Sequence, residues 1–216
     1  MGRRALRKID PSIDLSGHLK LFEQLPRPWD AAALFGRAAP LEVEVGSGKG
    51  LFLRNAAADR PEVAFLGVEI ARKYAHFAAA GLAKAGLRNA LVVHGDAVRL
   101  FHDLLPEGSL AAIHVYFPDP WWKKRHKRRR VMHESFVRDV ERTLQPGGAL
   151  HFWTDVEEYF QTALELLAAH PHLLGPLTVA ETPADHDMAY RTHFERRVRK
   201  ASEPVYRAEF RKAEIS

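Results

Sequence analysis

Four acidic residues stand at or just past the ends of short apolar runs: Glu44 in LEVEVGSGKG, Glu69 closing VAFLGVE, Asp96 in HGDA and Asp119 in FPDP. Carboxylates so placed accept hydrogen bonds from sugar hydroxyls or amino groups. The glycines of Gly46-Ser47-Gly48-Lys49-Gly50 let a ligand approach the backbone with no side chain in the way. Together they suit a nucleotide-like ligand. Beyond Asp119, the stretch Lys123 to Arg130 holds seven Lys/Arg interrupted only by His126. Like charges repel along such a run, whereas a phosphate backbone releases counterions on meeting it. A stiff, acid-tipped Pro-Asp-Pro turn beside a polyanion-binding stretch is the expected working centre.

Those residues need a frame. From Leu41 the chain alternates apolar runs with helical stretches: LEVEV, then a helix from about Gly50; VAFLGVEI, then ARKYAHFAAAGLAKAG; ALVVHGD, then a short helix. LAAIHVYF is followed by a helix near 132–144, and ALHFWTD by one near 156–169. The alternation predicts an α/β fold, a doubly wound and mostly parallel sheet with right-handed crossovers and helices on both faces. Ligands then bind at the carboxyl ends of the strands, where the four acids lie. Met132, Phe136, Val137, Val140 and Leu144 form a stripe near the 3.6-residue period, ended by a QPGG turn. Residues 1–39, dotted with Pro11, Pro26, Pro28 and Gly36, read as an irregular basic arm and lead-in, leaving 40–216 as the folded domain.

The 216 residues suffice for one domain with a hydrophobic core, and 46% hydrophobic with 27% charged residues is ordinary globular composition. No apolar run of about 18 residues is present, and MGRRALRKIDPSID has no apolar signal stretch, so a cytoplasmic protein without membrane contact is expected. The absence of cysteine excludes disulfides and thiolate chemistry, and the twelve histidines include no His-Glu-x-x-His, so no metal site is expected. The net charge is +5, yet outside residues 121–130 there are 25 Lys/Arg against 27 Asp/Glu. The positive excess is therefore local, with smaller clusters at Arg3–Lys8 and Arg191–Lys200, and it points to nucleic acid.

The glycine loop discriminates among nucleotide sites. A Walker loop needs Gly-Lys-Ser/Thr, and Gly follows Lys49; a dinucleotide fingerprint wants glycine where Leu51 stands. The acid-x-Gly-x-Gly-x-Gly pattern resembles that of S-adenosylmethionine-dependent methyltransferases. With GSGKG, GVE, GDA, FPDPWWKKRHKRRR, FWTD and THFE in this order, residues 40–197 resemble the bacterial tRNA (guanine-N7)-methyltransferases. The resemblance implies a class I, Rossmann-like methyltransferase fold, S-adenosylmethionine as cofactor and tRNA as partner, with N7 of a variable-loop guanosine as acceptor. It implies cofactor contacts at Glu44, Gly46, Gly48, Glu69, Asp96 and Asp119, and a catalytic role for Asp119. It further implies substrate contacts at Lys123, Asp155, Thr192, His193, Phe194 and Glu195, and RNA contacts at Arg125, His126, Lys127, Arg128, Arg129 and Arg130. The tail RKASEPVYRAEF departs from the family's glycine-containing end.

Several positions admit a second reading. Asp155 begins a helix and suits a cap as well as a substrate contact. Thr192-x-x-Glu195 has capping-box spacing, but Arg196, Arg197, Arg199 and Lys200 follow instead of an apolar stripe, which favours a substrate-facing role. Trp121 and Trp122 suit either the core or base stacking. Rival functions are methylation of an exocyclic base amine, suggested by the Asp-Pro-aromatic element, and a non-catalytic RNA-binding protein on the same fold. A nicotinamide oxidoreductase lacks its glycine spacing. The sequence leaves monomer and homodimer open.

Overall fold

The computed structural model describes residues 6–121, 125, 130–181, 183–184, 186–187 and 189–214. Its elements run β1 (Leu19–Leu21), a 3-10 turn (Phe22–Gln24), α1 (Ala31–Phe35), β2 (Leu41–Val45), α2 (Leu51–Asp59), β3 (Ala64–Glu69), α3 (Arg72–Lys84) and β4 (Ala90–His94). They continue with α4 (Ala97–Asp103), β5 (Leu110–Tyr116), α5 (Glu134–Thr143), β6 (Leu144–Thr154), α6 (Glu157–Ala168), β7 (Leu173–Leu177), α7 (His193–Lys200) and β8 (Tyr206–Lys212).

The strands form one sheet in the order β1-β4-β3-β2-β5-β6-β8-β7. The first six in that order are parallel neighbours, and β8 runs antiparallel to both β6 and β7. β2 and β3 are buried along their whole length, as strands covered by helices on both faces must be. One face packs on α4, α5 and α6 through Phe101, Phe136, Val140, Phe152 and Tyr159; the other packs on α2 and α3 through Phe52, Leu53, Phe65 and Ala79. The expected doubly wound fold is present. All five residues of the Met132–Leu144 stripe are buried.

One expectation needs correction. Residues 19–35 are not irregular: β1 adds a parallel edge strand beside β4, and Phe22 and Leu25 are buried in the core. The lead-in holds by a few large apolar side chains, too short a pattern for periodicity to reveal. α5 stops at Thr143, just before the QPGG residues as expected, and those residues already belong to β6. Pairing with β5 jumps from Leu110↔Leu144 to Ala112↔Ala149, so three extra residues bulge at the start of β6 while the strand continues.

Candidate active site

The reversal of strand order between β3-β2 and β5-β6 places the carboxyl ends of β2 and β5 side by side. Glu44 lies near the end of β2, and the loop after it is built by Gly46 (φ +75°) and Gly50 (φ +73°). A Cβ on Gly46 would meet nothing within 4 Å, so the loop faces open space. One on Gly50 would come within 2.8 Å of Ala78 Cβ, because α2 starts hard against α3. Glu69, ending β3, accepts the Gly48 N–H on Oε2 and the Ala71 N–H on Oε1, both at 2.8 Å, and thereby fixes the loop. Asp96 accepts the Val98 N–H at 2.9 Å and caps α4. Capping and ligand binding are not exclusive, since a carboxylate has further lone pairs.

Glu44 differs from these two acids. Its Oε2 is buried and has no hydrogen-bond partner among the described residues. Burial pushes its carboxyl well above the usual range, the Glu69 charge adds to this, and Arg191 opposes it. A buried carboxyl oxygen without a partner among the described residues, beside an open glycine loop, is placed to accept from a ligand. Ile70, next to Glu69, is 70% exposed and lines a cleft of about 320 Å³ with Phe22, His94, Gly95, Asp96 and Arg99. Sequence reasoning passed over Ile70, although its place directly after a strand-end acid was a signal.

Asp119 sits on the turn that leaves β5. Phe117 (φ +50°) and Trp121 (φ +44°) bracket it in left-handed backbone, a conformation costly for aromatic residues. Asp119 is exposed and has no hydrogen-bond or ion-pair partner among the described residues, so the strained turn presents a bare carboxylate. The Phe117 ring lies 4.9 Å from that of Phe194, which brings α7 against this turn. The Asp119 turn and the first turn of α7 therefore lie side by side.

At α7 the reading is corrected in part. Half of the capping box forms: Thr192 Oγ1 accepts the Glu195 N–H at 2.9 Å, whereas Glu195 Oε2 accepts the N–H of Arg191, one residue before the N-cap, at 2.7 Å. Glu195 is buried, and its Oε1 accepts from Arg199 and Arg207 at 3.3 and 3.4 Å, so its carboxylate is committed to α7 and β8. Arg199 on α7 and Arg207 on β8 neutralise it. His193 is half-buried with its pKa pushed down to about 4, by burial first and then by Arg196, Lys49 and Arg54. Asp155 does not cap α6, whose N-cap is Val156 without a side-chain bond. Burial raises the pKa of Asp155, while Arg197 pulls it down.

The basic run divides. Arg125 is exposed, whereas Arg130 is only 5% exposed. The Nε of Arg130 donates to the Pro120 carbonyl at 2.7 Å, its Nη2 meets Glu158 at 3.1 Å, and its guanidinium lies 4.6 Å from the Tyr159 ring centroid. Arg130, expected to face RNA, is instead the brace of the Asp119 turn. Lys123, His126, Lys127, Arg128 and Arg129, with Trp122 and Lys124, lie outside the described residues.

Beneath the site runs a polar row that periodicity hid among apolar strands. Glu42 binds Arg60 (2.6 and 2.9 Å) and His114 (2.9 Å); His114 bonds the Tyr116 hydroxyl at 2.9 Å and stacks on His151 at 4.9 Å. Burial alone would raise Glu42, but His114 and Arg60 hold it at about 2. Burial lowers the pKa of both His114 and His151, disfavouring their charged forms. Residues 42/44, 114/116, 151/153 and 207/209/211, polar or aromatic at every second position, were its signature.

Over residues 38–208 the sequence matches the family model described as "Putative methyltransferase". The tRNA (guanine-N(7)-)-methyltransferase of Rhodopirellula baltica is 50% identical over 218 residues, spanning 98% of this chain and 80% of the relative. That of Aromatoleum aromaticum is 42% identical over 216 residues, spanning 96% and 82%. Among solved structures, the aminoglycoside resistance methyltransferase NpmB1 aligns with a TM-score of 0.60 at 18% identity, over 88% of this chain and 95% of that one. The 16S rRNA methyltransferase KamB aligns with a TM-score of 0.59 at 20% identity, over 89% and 92%. Those structures speak for the fold alone. The sequence relatives go further, and with the glycine loop, the strand-end acids and the Asp119 turn in one place, the chain belongs to the tRNA (guanine-N7)-methyltransferase family.

Proposed function

We propose that this chain transfers a methyl group from S-adenosylmethionine to N7 of a guanosine in tRNA, in the variable loop, and that it acts in the cytoplasm. The observation that carries the reading is the exposed Asp119 carboxylate, without a partner among the described residues, on a strained turn at the end of β5, beside the end of β2. Among the described residues no helix is long and apolar enough to cross a membrane.

Glu44, the loop from Gly46 to Gly48, Glu69 and Asp96 would hold the cofactor. The unpartnered Glu44 Oε2 and the exposed Ile70 support that fit. When bound, S-adenosylmethionine supplies a methyl group made electrophilic by a positive sulfur. Guanine N7 already carries a lone pair, so the protein has no proton to remove and mainly has to hold the base in line. Asp119 accepts hydrogen bonds from the guanine N1–H and amino group, which aims N7, and its charge stabilises the cation that develops on the purine. Arg125, together with the basic run around it, engages the RNA backbone. Asp155, Thr192 and His193 form the substrate wall that Phe194 holds against the turn.

Incubation with unmodified tRNA and cofactor, followed by identification of the methylated nucleoside, tests the reading. Asp119→Asn separates roles: transfer should fail while S-adenosylhomocysteine still binds.

A further inference from the structure

Arg191, the residue before the α7 N-cap, was absent from the sequence-derived site. Its N–H donates to Glu195 Oε2, which fixes the backbone from which its side chain leaves. The guanidinium lies 5.1 Å from the Trp153 ring centroid and 5.8 Å from those of Phe52 and Tyr116, so α2, β5 and β6 together form its floor. The charge of Arg191 also reaches the Tyr116 hydroxyl and lowers its pKa against burial. Arg191 nonetheless remains exposed.

The partner that gives this placement meaning is Glu44. Arg191 is the base whose charge reaches Glu44 and pulls its pKa down against burial and Glu69. Yet the two form no ion pair, and Glu44 Oε2 keeps no partner among the described residues. An acid and a base thus flank the glycine loop within each other's field without touching. That arrangement suits a ligand that is itself a zwitterion, with an ammonium for the acid and a carboxylate for the base. Acids alone, Glu44 and Glu69, would repel a carboxylate.

We infer that Arg191 binds the carboxylate of the cofactor's amino-acid end while Glu44 takes its ammonium group, so that α7 contributes to cofactor as well as substrate binding. This rests on the proposed use of S-adenosylmethionine. It makes Arg191 a binding residue supplied by the segment that also meets the Asp119 turn, and cofactor binding then helps seat α7.

The test compares two ligands by calorimetry on the full chain: S-adenosylhomocysteine and its decarboxylated analogue, S-adenosyl-3-thiopropylamine. Arg191→Ala should weaken S-adenosylhomocysteine by about tenfold or more, the scale of one charge-assisted hydrogen bond, and leave the analogue within about twofold. Arg191→Lys should recover part of the affinity. Equal losses for both ligands would mean that Arg191 only packs the pocket, and unchanged or tighter S-adenosylhomocysteine binding would mean that it does not meet the carboxylate; either result overturns the inference. Failure of the unaltered protein to bind either ligand would instead overturn the cofactor reading beneath it.

Discussion

The rings of Phe117 and Phe194 meet at 4.9 Å with their planes 30° apart, joining the end of β5 to the first turn of α7 across more than seventy residues of sequence. Phe117 is held at φ +50° while it packs on this partner. The substrate-side helix is therefore registered on the turn that carries Asp119. Removing the ring should disturb base positioning more than cofactor binding. Phe194→Ala should lower kcat/KM for tRNA about tenfold, in line with the roughly 0.5–1.5 kcal/mol that such an aromatic pair contributes. Its affinity for S-adenosylhomocysteine should stay within about twofold; a parallel fall in both would show that the ring pair supports the whole pocket.

Asp119 is expected to act through its charge and its acceptor oxygens. Asp119→Asn keeps the shape of the turn and should reduce single-turnover methyl transfer by about 10²–10³, the range for removing one preorganised electrostatic partner. Cofactor affinity should remain measurable. Transfer at the unaltered rate would remove Asp119 from the mechanism.

Glu44 stores instability for binding. Its folded-state pKa lies above the unfolded value because of burial, then Glu69, with Arg191 opposing. Its contribution to stability is fully present below the usual carboxylate range and is lost as pH rises through the folded value. Glu44→Gln removes the buried charge, so without ligand it should melt higher than the unaltered protein at pH 7–8, by roughly 2–4 °C per kcal/mol relieved. The gap should narrow as pH falls toward about 4, and cofactor affinity should drop. Melting curves across pH that run in parallel for the two proteins would contradict the assignment.

Arg125 and Arg130 should separate cleanly. Arg130→Ala removes the brace on Pro120 and the packing on Tyr159, and should cost about 1–3 kcal/mol of stability together with transfer activity. Arg125→Ala should leave the melting temperature alone and reduce the log-log salt dependence of tRNA binding by about 0.7–0.9 for each phosphate that is no longer neutralised. Titrations of tRNA at several salt concentrations, beside thermal melts, decide between the two behaviours.

What could be read from sequence followed from local pattern. The five central parallel strands and their helices showed themselves because their apolar runs are strong, and the acids because each ends such a run. β7 and β8 escaped because YRAEFRK carries its apolar residues only at Ala208 and Phe210, with charges between that pair with partners remote in sequence, such as His151 and Glu195. Arg130 was grouped with its neighbours by charge, and only packing against Tyr159 distinguishes it. Arg191 was read only as the start of a basic cluster. Its role depends on Glu44, 147 positions earlier, and that proximity exists only once β2, β5 and α7 are assembled.

The central claim is the identity of the methylated atom. Purified protein should be incubated with unmodified tRNA transcripts and S-adenosylmethionine, the RNA digested, and the nucleosides identified by mass spectrometry against chromatographic standards. The account predicts 7-methylguanosine, absent in the Asp119→Asn sample. A nucleoside methylated on an exocyclic amine would contradict the assignment of N7, and no methylation by a protein that binds both tRNA and cofactor would contradict the catalytic reading itself.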